Sequence, residues 1–144
     1  MALPAPEPGL AIRYNYLWLR EAESGRDSAT KGRPCAVVTA VRRSGDRLVV
    51  SVVPITHALP QARTPAIPLP NSVKRVLGLD DEPSWIIVDE ANTFEWPGPD
   101  LEPIDQQSRA MSYGRLPKPV IAAVLHAVLG HIRAGRLRTI KRSE

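Results

Sequence analysis

One cysteine stands in 144 residues, so no disulfide can close within the chain and no Cys-x-x-Cys pair is available for metal or redox chemistry. Cys35 lies inside an apolar run and reads as a small buried hydrophobe. No apolar run approaches the ~20 residues a membrane-spanning helix needs. Met1 to Pro8 lacks the basic start and apolar centre of a signal peptide, and its prolines favour an extended tail. The expected setting is therefore the cytoplasm, with no membrane partner. Phosphate-binding glycine loops, the dinucleotide fingerprint and His-Glu-x-x-His are all missing. Lys and Arg are absent from Asp80 to Asp105, a stretch that holds nine carboxylates.

The remaining residues carry all 19 basic side chains against 6 acidic ones, and the whole chain has a net charge of +4. Such a split suits a basic side for a polyanion and an acidic side facing elsewhere; the alternative is an ordinary solubilising surface. A length of 144 residues and 43% hydrophobic content suit one domain with a buried core. Its expected limits are 10–137, between a Pro-rich tail at 1–9 and a basic tail, expected to fray, at 138–144.

Tyr14 to Leu19 alternates and is rich in aromatics, which predicts a strand. A polar loop follows from Arg20 to Arg33. Cys35–Val41 and Arg47–Ile55 are valine-rich runs around Ser44-Gly45-Asp46, the pattern of an antiparallel hairpin. Four prolines between Ala58 and Pro70 demote that segment to a loop or sheet edge, with Ala66-Ile67 briefly paired. Asn71 is placed to cap a short helix that Gly78 closes. Trp85–Val88 predicts a buried strand, and Asn92–Trp96 its continuation or partner. Then the period changes: Val120, Ile121, Val124, Leu125, Val128, Leu129 and Ile132 recur at helical spacing, with Pro117 and Pro119 at the start and Gly135 at the end. Five or six short strands and one terminal helix predict a mainly β fold, a small closed or nearly closed antiparallel barrel.

Gly32-Arg33-Pro34 places one arginine where a charged loop enters a buried strand, and Thr56-His57 lies where the next strand leaves the core. Strand ends on a rigid sheet are where reactive groups are commonly placed. His126 and His131 are five residues apart, which does not stack them on one helix face. Asp80-Asp81-Glu82 has the carboxylates of a hard-cation site, but an acidic run after a Gly-Leu turn reads as solvated surface. No metal and no cofactor are expected.

Gly32-Arg33-Pro34-Cys35-Ala36-Val37-Val38 resembles the signature of the MazF/PemK ribonuclease toxins, in which Gly-(x)-Arg-Pro precedes a Val-rich strand. Trp18-Leu19 resembles that family's first-strand aromatic, and Pro54-Ile55-Thr56 its Pro-(Ile/Val/Phe)-Thr motif. Val88 to Trp96 resembles its late strand, and one terminal helix follows. The likeness runs from about Trp18 to Gly135. It implies an SH3-like barrel of the CcdB/PemK kind, a homodimer, a cognate antitoxin, and metal-independent cleavage of single-stranded RNA.

By the same resemblance, Arg33 would stabilise the phosphate with planar bidentate donors, rather than pair with Glu21 or Glu23. Thr56 would hold a phosphate oxygen, or simply end its strand. His57 departs from the small polar residue common there; it suits acid–base work, or merely begins the following loop. Asp89 matches the late-strand aspartate, but Ile87 stands where some members carry a basic residue. Glu21 or Glu23 is a possible general base. Arg26 and Lys31 could grip phosphates, and Trp18 could stack a base or pack in the core. Two rival readings use the same fold: a CcdB-like, non-enzymatic toxin that binds DNA gyrase, and a catalytically inactive nucleic-acid-binding or regulatory module.

Overall fold

The two valine-rich runs pair as the sequence predicts. In the structure, a computed structural model describing residues 3–25, 32–43 and 45–142, they form β2 (Arg33–Arg42) and β3 (Leu48–Thr56). The antiparallel register runs from Cys35↔Pro54 to Arg42↔Leu48, with a slip between Val37 and Thr39. Gly45 takes φ 73° in the connecting turn, a conformation glycine adopts at no steric cost. The apolar runs are continuous because both faces of the hairpin are buried. Ala36, Val38, Val53 and Ile55 join one core; Cys35, Val37, Val50 and Val52 join the other.

The first strand is displaced from its expected place. β1 is Leu10–Tyr14, paired with β2 from Ala11↔Ala36 to Tyr14↔Arg33. The alternating Tyr14–Leu19 segment leaves the sheet after Tyr14, and α1 (Leu19–Glu23) follows it. Side-chain pairing replaces strand pairing here. The Asn92 amide accepts from the Leu17 N–H and donates to the Leu17 carbonyl, both at 2.8 Å. Tyr16 and Trp18 still pack in the second core, where Tyr14 stacks on Phe94 at 4.3 Å between centroids.

β4 (Ala66–Pro68) lies at the end of the strand order, where a proline costs no ladder bond. α2 (Asn71–Leu77) is capped by Pro70 rather than Asn71, and Gly78 closes it at φ 71°. β5 (Trp85–Ile87) pairs with the far end of β3, and β6 (Glu90–Glu95) with its near half, Val49↔Glu95 to Val52↔Asn92. β5 and β6 thus run in series along one edge of β3, so Asn92–Trp96 continues the Trp85–Val88 strand past a shift in register, the first of the two expected arrangements. β7 (Leu101–Glu102) and β8 (Gly114–Arg115) both border β1. α3 (Lys118–Arg133) buries Val124 and Val128 against the first core.

The basic segment expected to fray is instead ordered as β9 (Arg138–Lys141), lying parallel to β6. It is the one parallel pairing among the described residues. The fold is mainly β with a long C-terminal helix, its principal strand path β4-β5-β3-β2-β1-β7 open at both ends. No helix among the described residues is long and apolar enough to cross a membrane.

Candidate functional site

The end of β3 and the start of β2 lie side by side, because Cys35 opposes Pro54. This register carries Arg33 and His57 to the wall of one cavity of about 320 Å³. Arg13, Tyr113, Asp80 and Ser84 line it as well. Arg33 is half-buried. Its Nε is sealed from solvent with no hydrogen-bond partner, and its guanidinium lies 5.0 Å from the centre of the Trp18 ring. Neither proposed carboxylate partner neutralises it. Glu21 accepts from the Trp18 N–H at 3.1 Å, and Glu23 faces Arg138 at 3.9 Å. Gly32 sits so close to the Arg13–Glu102 pair that a Cβ there would run into Glu102 Oε1 and crowd the Arg13 side chain. The absent side chain lets β2 begin beside that pair.

His57 is held at both nitrogens. Nε2 lies 2.7 Å from Asp80 Oδ2. Ser84 Oγ donates to the Glu82 carbonyl, so its oxygen accepts from His57 Nδ1–H at 3.0 Å, and the Pro83 carbonyl stands 3.2 Å away. Asp80 in turn accepts from Lys74 Nζ at 3.1 Å through its other oxygen. Lys74 is 1% exposed, an extreme for a lysine, and also donates to the Glu82 carbonyl. Partial desolvation raises the Asp80 pKa, but Lys74, the Glu82 N–H and His57 outweigh it, so the carboxyl lies below its usual range.

Thr56 and Asp89 line a neighbouring concavity of about 540 Å³ with Trp18, Arg20 and Glu90. Thr56 Oγ1 accepts from the Ala58 N–H at 3.0 Å, which leaves its own proton to give. Trp18 is buried, with the guanidiniums of Arg20 and Arg33 both over its ring, so it packs in the core rather than offering a free stacking face. The Asp89 carbonyl accepts from the Arg138 N–H, which ties the late strand to β9. Beside it, Glu90 Oε1 accepts from the Tyr16 hydroxyl and the Leu19 N–H, both at 3.0 Å. Burial first, and Asp89 after it, hold the Glu90 carboxyl above its usual value. Burial also drives the Tyr16 and Cys35 pKa values upward, so both stay protonated and chemically quiet. Arg26 and Lys31 lie outside the described residues.

The structure thus splits the sequence candidates into two adjoining hollows, Arg33 with His57 and Thr56 with Asp89. Arg13, Asp80 and Ser84 were missed as parts of the first, and Lys74 as the buried donor behind Asp80. Lys74 looked like any helix lysine, and the chain distance from His57 to Asp80 hid their meeting. Comparison with protein-family models, with curated proteins and with solved structures finds no match.

Proposed function

We propose that the chain is a toxin-type endoribonuclease of the MazF/PemK kind, cutting single-stranded RNA without a metal. In this reading the open strand path curls into a small SH3-like barrel. The chain works as a homodimer in the cytoplasm, and an antitoxin restrains it. The observation that carries the reading is Arg33: a guanidinium at the mouth of a cavity, stacked on an indole, with no carboxylate among the described residues to neutralise it. A cation so placed is ready for an anion of planar, bidentate geometry, and a phosphodiester has it.

The chemistry asked of the site is an internal transfer. The ribose 2′-oxygen loses its proton and attacks the adjacent phosphorus. The bond to the 5′-oxygen breaks, and that oxygen gains a proton, leaving a 2′,3′-cyclic phosphate and a free 5′-hydroxyl. Arg33 supplies donors to the charge that builds on the pentavalent phosphorus. Thr56, across the ridge in the second hollow, gives its hydroxyl proton to a non-bridging oxygen. His57 serves as acid or base by exchanging its Asp80 contact for the substrate, and the Pro83 carbonyl and Ser84 Oγ keep the ring oriented through Nδ1.

Loss of one preorganised donor of this kind costs roughly a hundredfold to a thousandfold in rate. Arg33→Ala should therefore abolish cleavage of a long single-stranded RNA in EDTA, with an unchanged circular dichroism spectrum. Thr56→Val should lose less. Equal activity of Arg33→Ala and the parent sinks the nuclease reading. One observation favours a second reading: both His57 nitrogens are already occupied. A binding module on this fold would need only Arg33, and it would retain RNA without cutting it.

A further inference from the structure

His57, Asp80 and Glu82 bring one nitrogen and two carboxylate oxygens within 4.8 Å of one another. The Nε2 of His57 stands 2.7 Å from Asp80 Oδ2 and 3.9 Å from Glu82 Oε2. Tetrahedral zinc, with bonds of about 2.0–2.2 Å, sets its ligand atoms roughly 3.3 Å apart. The two separations straddle that value, so small side-chain rotations reach it.

What lies behind the three donors prepares them. Ser84 Oγ and the Pro83 carbonyl both take up Nδ1–H of His57, which turns the lone pair of the neutral ring onto Nε2. Zinc-binding histidines are oriented in this way by a partner on their other nitrogen. Asp80 uses Oδ1 for Lys74 Nζ and the Glu82 N–H, so Oδ2 is the oxygen left for a cation. The buried Lys74 also donates to the Glu82 carbonyl, which anchors the loop carrying the third donor. Two exposed carboxylates alone would keep their water. An imidazole nitrogen fixed from behind adds the softer donor that first-row metals prefer over magnesium or calcium.

We propose that His57 Nε2, Asp80 Oδ2 and Glu82 Oε2 bind a zinc ion, with the fourth position open to water. The ion clips the end of β3 to the loop between α2 and β5. The site stands whether or not the chain cleaves RNA.

The test is a calorimetric titration of EDTA-stripped, dialysed full chain with zinc chloride, alongside thermal melts. Saturable binding of one ion per chain is expected, with a melting temperature that rises with zinc. Glu82→Gln, exposed and outside both cores, should weaken binding at least about tenfold. Ser84→Ala, which touches no metal, should weaken it by about 10- to 100-fold through the freed imidazole. His126→Ala, exposed on α3, should bind as the parent does. Absence of saturable binding overturns the site. So does binding undiminished in both Glu82→Gln and Ser84→Ala, or binding lost in His126→Ala. RNA cleavage in EDTA is a separate readout: a protein that cuts RNA yet binds no zinc loses this site and keeps its nuclease reading.

Discussion

Two side chains show how differently one fold treats buried charge. Lys74 is almost wholly enclosed, yet its ammonium has Asp80 and the Glu82 carbonyl as partners. Glu90 is only partly enclosed, but its neighbours include Asp89, and its two hydrogen bonds do not offset desolvation. Its folded pKa therefore lies above the unfolded value near 4.5. The folded state holds that proton more tightly than the unfolded chain does. The resulting stabilisation is complete below about pH 4.5 and is lost as pH rises through the folded value. Glu90→Gln keeps an oxygen for Tyr16 and Leu19 and has no proton to lose. Urea midpoints measured from about pH 4 to pH 8 should fall less steeply for Glu90→Gln than for the parent. Parallel profiles would show that Glu90 does not carry this dependence.

Among the elements, β9 does the least expected work. Its main-chain edge extends the sheet beyond β6, and Arg142, just after it, is 6% exposed. That guanidinium donates to the Asn15 carbonyl at 2.6 Å, to Asn92 Oδ1 at 3.1 Å and to Asp100 Oδ2 at 3.1 Å. One side chain so joins the segment after β1, β6 and the loop before β7. Removing it leaves Asp100 without its counter-charge and Asn92 short of a donor. Arg142→Ala should cost about 3 kcal/mol, read as a lower urea midpoint at unchanged slope. Arg142→Lys keeps the charge but not the fork, and should recover only part of the loss. A midpoint within error of the parent would mean that β9 contributes nothing to global stability.

Across the whole molecule, the sequence's division into acidic and basic stretches does not become a division into two sides. The acidic stretch is dealt out among basic partners from elsewhere: Asp80 with Lys74, Glu95 with Arg47, Asp100 with Arg142 and Glu102 with Arg13. Assembly belongs to this scale too. α3 exposes half of Ile132 and 43% of Leu129, apolar surface that a two-fold partner would cover. Light scattering over a dilution series should give a dimer mass at high concentration. A monomer mass throughout would remove the homodimer from the proposed function.

The sequence by itself determined what depends on neighbours in the chain. Alternating or unbroken valines around Gly45 specify β2 and β3, and apolar residues at helical spacing after Pro117 specify α3. Prolines confine β4 to an edge, and Gly78 ends α2. These follow from local sterics and from a periodicity that any partner would satisfy. Tertiary structure alone decided which strand edges meet. A backbone edge pairs through N–H and C=O groups that every residue carries, so nothing in Leu10–Tyr14 or Arg138–Lys141 names β2 or β6 as its partner. Asn92 took the place of a strand for Leu17, and so the alternating aromatics from Tyr16 onward packed in the core outside the sheet. The candidate site was legible to the same extent. Arg33 and His57 could be named as strand-end residues, whereas their shared cavity, the buried Lys74 and the meeting of His57 with Asp80 required the α2–β5 loop to fold back over β3.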